Sequence, residues 1–148
     1  MKAITVWQPW AGALAAGIKG NETRSWVTKY RGPIAIHSAI KPIRHNLYMD
    51  DEAREVICRR LELPEIIDGP ATFPMGCILA TAELVDCIRI TPEYITTLTP
   101  DELALGDYTL GRYAWKLANV QKLPEPIPTK GRQGLWNWEA PENKEVRV

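Results

Sequence analysis

The chain has 148 residues, of which 45% are hydrophobic and 24% charged, a composition that suits one globular domain and excludes intrinsic disorder. Eighteen basic and eighteen acidic residues cancel, so the net charge by itself predicts no polyanionic partner. Three cysteines without a Cys-x-x-Cys pair argue against a disulfide framework and a zinc finger, and no apolar run is long enough to span a membrane, so we expect a cytoplasmic protein without membrane contact.

Short strand-like runs alternate with helical patterns along the chain. In chain order we predict a strand at 3–6, a helix from Pro9 to Gly17, an extended segment at 22–27, a strand at 33–39, a helix from Asp50 to about Leu61, a strand at 77–87, a short helix at 99–103, and strands at 113–120 and 135–138. The strands outnumber the helices, so we expect a compact α+β domain whose sheet curls into a small barrel.

Two further segments are predicted to be irregular. Pro124, Pro126 and Pro128 predict an extended, irregular link, because proline fixes φ and has no N–H to donate. Residues 129–134, which carry glycine together with Lys130 and Arg132, predict a loop.

Positive charge is concentrated near the N-terminus. Glu22 is the only acidic residue between Lys19 and His45, whereas the same interval holds six cations: Lys19, Arg24, Lys29, Arg31, Lys41 and Arg44. An asymmetry of this kind within a neutral chain predicts a surface for an anion, and nucleic acid is the leading candidate.

Several segments, in this order, resemble one known family. They are Trp7-Gln-Pro-Trp10, Gly17-Ile-Lys-Gly-Asn-Glu-Thr-Arg-Ser-Trp26, Tyr30 to Ala39, Pro74 to Cys87, Tyr113-Ala-Trp-Lys116, and Lys130 to Trp136. Together they resemble the ASCH domain, a relative of the RNA-binding PUA domain, over nearly the whole chain. The resemblance implies a single domain over residues 1–148, a PUA-like small mixed β-barrel with flanking helices, and a cleft that binds RNA, another nucleic acid or a modified nucleotide without a cofactor.

The segment 17–26 supplies the first candidate site. Lys19 suits a phosphate or, if it is buried, could act as a general base. Arg24 offers a planar fork to a phosphate or a base edge, and Glu22 either pairs with its neighbouring cations or accepts a hydrogen bond from a base amino group. Trp10 or Trp26 could stack on a base. The alternatives are tryptophans that belong to the core and a plain surface ion-pair cluster.

The closing loop supplies a second candidate site. Lys130 and Arg132 could contact phosphates there, although a solvated turn is an equal alternative. Ser38 and His37 end a strand near the basic segment, and only one of the two can face the cleft because neighbouring strand residues point to opposite faces. His37 and His45 are too few for a metal site, so we predict none.

An enzyme is the second functional hypothesis. Some small members of the family resembled are amidohydrolases for acetylated cytidine, and by that resemblance Lys19 and Glu22 would be the catalytic pair. Glu22 stands where those enzymes carry a threonine, Thr23 is one position off, and Glu83 is the candidate for their remote glutamate. Ribonuclease activity through Lys19 and Glu22, and a protein-interaction surface of exposed tryptophans, also stay open.

Overall fold

The computed structural model describes residues 1–41, 49–65 and 72–142, and in these ranges six strands and four short helices form the fold. The elements are β1 (Lys2–Val6), α1 (Trp10–Ala15), β2 (Asn21–Arg24), β3 (Gly32–Ser38), α2 (Asp51–Arg60), β4 (Cys77–Arg89), α3 (Pro92–Ile95), α4 (Pro100–Ala104), β5 (Tyr113–Pro128) and β6 (Leu135–Asn137).

The strands form one mixed sheet in the order β2-β5-β4-β3-β1-β6. β1 pairs with β3 in parallel, and the remaining neighbours are antiparallel. The sheet curls, because Arg24 of the edge strand β2 donates a hydrogen bond of 2.8 Å to the Thr5 carbonyl of β1, four positions away in the sheet order. The result is a half-barrel with flanking helices, which confirms the predicted α+β fold class.

The core lies inside this curl, where α1 packs against the sheet. Leu14 and the alanines of α1 are buried with Ile36 of β3 and Trp115 of β5. The helix ends where predicted, since Gly17 has a φ of +76°, a conformation that glycine adopts without a steric penalty. A core of this kind fixes the position of the chain that leaves α1, and that chain carries Lys19.

The predicted helix at 50–61 is confirmed as α2. Its N-cap is Asp50, whose carboxylate accepts a hydrogen bond of 2.8 Å from Ala53 N–H, and Val56 and Ile57 are buried on the inner face. The short helix at 99–103 is confirmed as α4, but α3 was not predicted. Thr91 caps α3 ahead of Pro92, a start signal that the sequence contained.

The segment with the three prolines is extended, as predicted, but it is part of a strand, because β5 runs from Tyr113 to Pro128. β4 pairs with β5 as far as Pro128, opposite Cys77. The β4–β5 register shifts at these prolines, because the Ala80–Lys122 pair is followed by the Ile78–Ile127 pair, a step of two residues on β4 and of five on β5. Pro124 and Pro126 lie in this irregular stretch, where regular ladder bonds are interrupted and the missing N–H of a proline is tolerated.

Candidate functional site

A cavity of about 760 Å³ opens on one side of the half-barrel. Its walls are the ends of β1 and β2, the start of α1, the N-terminus of α2 and the chain that follows α4. We call it the gap pocket, because it lies where β1 and β2 approach each other without forming a ladder. Five of the predicted site residues line it: Trp10, Lys19, Glu22, Arg24 and Trp26.

Lys19 lies at the bottom of the gap pocket and is only 2% exposed. Its Nζ donates a hydrogen bond of 2.6 Å to the carbonyl of Leu105, just beyond α4. Burial lowers the pKa of Lys19 below its ordinary value, and the carboxylates of Glu22 and Glu102 partly oppose that shift. The amine is therefore hydrogen-bonded within the wall of the pocket, where burial makes its charged form less favourable than it is in water.

The chain around Lys19 is held by α4. Glu102 Oε1 accepts a hydrogen bond of 2.6 Å from Gly20 N–H, which ties the end of α1 to α4. Gly106 lets the opposite wall approach, because a Cβ there would lie 2.7 Å from a ring carbon of Tyr108 and 3.3 Å from Lys19 Nζ. Sequence reasoning missed Glu102 and Leu105, since nothing local to either residue indicates a contact more than eighty residues away.

Glu22 and Arg24 lie on one face of β2 and form a close ion pair. Arg24 Nη2 is 2.8 Å from Glu22 Oε2, and Arg24 Nε donates to the same oxygen at 3.1 Å. The remaining bond of the guanidinium goes to the Thr5 carbonyl. No hydrogen bond reaches Glu22 Oε1 from any residue that the structure describes, so this oxygen is open to the pocket that Glu22 lines.

Two half-exposed indoles stand at the pocket, one on each side of the gap. Trp7 follows β1 and is 36% exposed, while Trp26 follows β2 and is 37% exposed. The ring of Trp26 makes an edge contact with Trp115, with centroids 4.6 Å apart. Lys41 Nζ lies 3.5 Å from the ring centre of Trp7, a cation–π contact. Trp7 was not predicted as a site residue, although it begins the Trp7-Gln-Pro-Trp10 segment.

Most of the remaining tryptophans belong to the core, which is the alternative that the sequence analysis left open. Trp115, Trp136 and Trp138 are buried in the core, and Trp10 is half-buried between the core and the pocket. Trp136 and Trp138 are buried in the same apolar cluster.

The gap pocket is not basic, which corrects the expectation of a cationic cleft. Its charged lining residues, among those that the structure describes, are the cations Lys19, Arg24 and Arg112 and the anions Glu22, Asp50, Glu52 and Asp107. Cations that are close in sequence diverge in space, and Arg31, for example, lies 3.7 Å from Asp86 on β4. Arg44 and His45 lie outside the described residues.

The other predicted binding residues lie outside the gap pocket. Ser38 is completely buried. Its hydroxyl donates to the Cys77 carbonyl and accepts from Cys77 N–H, both at 3.2 Å. Ser38 was a candidate for binding in the cleft, but it does not line the gap pocket. Lys130 and Arg132 are exposed on the closing loop, residues 129–134. The Thr5 hydroxyl donates a hydrogen bond of 3.2 Å to the Arg132 carbonyl. Because Thr5 also lines the gap pocket, the loop lies beside the pocket.

His37 anchors the closing loop. Its Nε2 donates to the Thr129 carbonyl at 2.6 Å, its Nδ1 lies 3.1 Å from the Thr5 hydroxyl, and its ring packs edge-on against Trp136. A Cβ on Gly131 would lie 2.5 Å from the imidazole, so the loop rests directly on the ring. Burial lowers the pKa of His37, and the bond to Thr129 partly opposes that shift.

The residues of the enzyme hypothesis are only partly brought together. Glu83 accepts from Asn119 on the sheet at 3.2 Å and does not line the gap pocket, so it is not near Lys19. Thr23 lines the pocket, but its hydroxyl accepts from Asp107 N–H at 3.1 Å. Within the described ranges no cluster of His, Cys, Asp and Glu could hold a metal ion. None of the helices described there is long and apolar enough to cross a membrane.

Comparison with known proteins gives one family and, among the relatives, a human and a mouse protein. A family model described as the ASCH domain matches residues 4–127. Activating signal cointegrator 1 from Homo sapiens is 28% identical over 133 residues, and its counterpart from Mus musculus is 27% identical over the same length. Each match covers 90% of this chain and 21% of the relative, so the chain spans about a fifth of the length of these curated proteins.

Proposed function

The chain belongs to the ASCH domain family, whose model covers most of its length, and from this premise we propose that the gap pocket binds RNA, or another nucleic acid or modified nucleotide, by accepting one unpaired base. The observation that carries the proposal is the pair of half-exposed indoles, Trp7 and Trp26, at a concave pocket that has polar groups at its base. Stacking of a base on an aromatic side chain contributes about 1–3 kcal/mol and needs no particular base.

The charges of the pocket indicate which part of the ligand it holds. Its cations and anions nearly balance, and Lys19 and Arg24 already bind protein carbonyls, so the interior suits an uncharged heterocycle better than a phosphate. Lys41 at Trp7, together with Lys130 and Arg132 on the closing loop, would contact the phosphates outside it. This division of labour is usual for single strands, in which aromatic rings hold bases and cations follow the backbone.

The proposal predicts that each exposed indole contributes to affinity. Trp7→Ala and Trp26→Ala should each weaken the binding of a fluorescently labelled, mixed-sequence single-stranded RNA by about 5- to 150-fold, the equivalent of one lost stacking contact. Fluorescence anisotropy at low salt measures this. Leu110→Ala is the matched control, because Leu110 is 56% exposed but does not line the pocket, and it should leave the affinity unchanged.

Two results would contradict the proposal. One is a wild-type protein that binds neither RNA nor single-stranded DNA at low salt. The other is an unchanged affinity in both tryptophan variants when their thermal unfolding shows an intact fold.

Hydrolysis of a modified nucleoside or of RNA is a second candidate, favoured by one observation. Lys19 is a buried amine with a lowered pKa that lines an open pocket beside Glu22, and a neutral amine can act as a general base. The test is the consumption of N4-acetylcytidine, or of labelled RNA, by wild type and by Lys19→Met, followed by chromatography. Turnover that the variant lacks would support an enzyme, whereas no turnover by wild type would leave binding alone.

A further inference from the structure

Resting on the proposed function, we infer that the gap pocket selects a base that carries an exocyclic amino group, as cytosine does, over one that presents a carbonyl there, as uracil does. The atom that reads the difference is Glu22 Oε1. The inference follows from the hydrogen-bonding state of each polar group in the pocket.

Glu22 offers an acceptor that the protein itself does not use. Its side chain is only 10% exposed, and both close contacts with Arg24 go to Oε2. Oε1 receives no hydrogen bond from the described part of the chain. Glu22 lines the pocket and Oε1 is not fully enclosed, so a ligand N–H that enters the pocket can take the place of water at this oxygen.

The geometry of Glu22 is fixed before a ligand arrives. Its backbone is paired opposite Trp115 in the β2–β5 ladder, and the guanidinium of Arg24 holds Oε2 while it also binds the Thr5 carbonyl of β1. Arg24 is therefore a positioning residue that turns Oε1 toward the cavity. A preorganised acceptor discriminates more sharply than one that can rotate away.

The other polar groups of the pocket that the structure describes are engaged or stand in solvent, except Arg112 Nε, a buried donor without a hydrogen-bond partner that lies 3.4 Å from Asp107 Oδ2. Lys19 Nζ donates to Leu105, and the Thr23 hydroxyl accepts from Asp107 N–H. Asp50 caps α2, and Glu52 is exposed. Among these described groups, Glu22 Oε1 is thus an acceptor that remains available to a ligand donor.

The chemistry of the bases then sets the preference. An ionised carboxylate only accepts, so it matches the amino group at position 4 of cytosine. Uracil has a carbonyl oxygen at that position, and two acceptors that face each other leave both without a donor. A site that is built for a hydrogen bond rejects the analogue that lacks it.

The experiment compares single-stranded RNA oligomers that differ only in the base. Wild type should bind an oligocytidine about 5- to 150-fold more tightly than an oligouridine of the same length at pH 7.5. An oligomer whose cytosines carry two methyl groups on N4 keeps the ring but has no N–H donor, and it should lose that advantage. Glu22→Gln should reduce the cytosine preference to within about threefold, because an amide both donates and accepts.

The matched control is Glu93→Gln, a change at an exposed carboxylate on α3 outside the pocket, and it should keep the preference. Equal binding of cytosine and uracil oligomers by wild type, or full retention of affinity by the dimethylated oligomer, would overturn the inference while the proposed function stands. Binding of none of the oligomers would overturn both. The dimethylated ligand keeps the test decisive even if Glu22→Gln does not fold.

Discussion

Lys19 illustrates how burial changes the chemistry that a residue can perform. As one of a set of nearby cations it suggests a phosphate contact, but its amine is enclosed and bonded to Leu105. Its charge is balanced by Glu22 and Glu102 instead of being offered to a ligand. The same environment that removes it from phosphate binding lowers its pKa, which is the condition under which a lysine can take up a proton from a reacting group.

His37 gives a prediction at the same scale, on pH dependence. Burial lowers its pKa below 6.5, so the unfolded chain binds the imidazole proton more tightly than the folded chain does. The contribution of His37 to stability is therefore fully present above pH 6.5 and is lost as the pH falls through the window below that value. We expect about 1.4 kcal/mol for each unit of pKa difference, measured by urea unfolding at a series of pH values.

His37→Gln provides the comparison for this prediction. A glutamine does not titrate, so the difference between wild type and variant should shrink as the pH falls from 7.5 toward 5. A difference that stays constant over this range would show that His37 does not titrate as its burial implies.

At the scale of elements, the closing loop is held separately from the walls of the gap pocket. It connects β5 to β6 and rests on His37, with Gly131 too close to the imidazole to accept a Cβ. Its exposed cations, Lys130 and Arg132, stand beside Thr5 at the pocket and need not enter it. The loop thus suits the strand of nucleic acid on either side of a bound base.

We therefore predict that the double variant Lys130→Ala/Arg132→Ala binds single-stranded RNA more weakly than wild type, and that its affinity depends less on salt concentration. Loss of two phosphate contacts should make the slope of log affinity against log salt shallower by about 1.4, because each contact on a single strand releases about 0.7 of a counterion. Anisotropy titrations between 50 and 300 mM salt, with roughly five concentrations, give this slope.

The cytosine preference should persist in the double variant, since the phosphates carry no base information. Lys122→Ala, a change at an exposed cation on β5 that does not line the pocket, is the control and should keep the wild-type slope. A slope that is identical in all three proteins would exclude the loop from the interface.

On the scale of the whole molecule, one side chain joins the two sides of the half-barrel. β2 is the edge of the sheet and β1 lies next to the opposite edge, and Arg24 connects them through Glu22 and the Thr5 carbonyl. The gap pocket exists because the sheet curls this far without closing through a ladder. Its shape therefore depends on a side-chain bridge as well as on the backbone.

Arg24→Met should consequently destabilise the fold by about 2–4 kcal/mol, because it removes two charge-assisted contacts and leaves a shielded carboxylate unpaired. Arg31→Met is the matched control. Its ion pair with Asp86 is 3.7 Å long and both side chains are at least 40% exposed, so it should cost within about 1 kcal/mol. Urea unfolding measures the stability of both variants. An equal loss of unfolding free energy in the two would mean that the bridge across the gap stabilises the fold no more than an exposed ion pair does.

Local patterns in the sequence determined most of the elements of this fold. Gly17 ends α1 and Asp50 begins α2, as expected, because the conformational freedom of glycine and the capping carboxylate act within a few residues. The continuous β5 could not be predicted in the same way. Three prolines normally interrupt a strand, and here Pro124 and Pro126 are accommodated where the register between β4 and β5 shifts.

The tertiary structure alone decided what the candidate site is. The sequence places Lys19, Glu22 and Arg24 within six residues. It could not show that Lys19 would donate to the Leu105 carbonyl, that Arg24 would donate to the Thr5 carbonyl, or that Glu102 would bind the backbone next to Lys19. Those partners reach the pocket only through the curl of the sheet and the docking of α4. Periodicity and capping are local and readable along the chain, whereas the burial of a charge depends on which distant segments close over it.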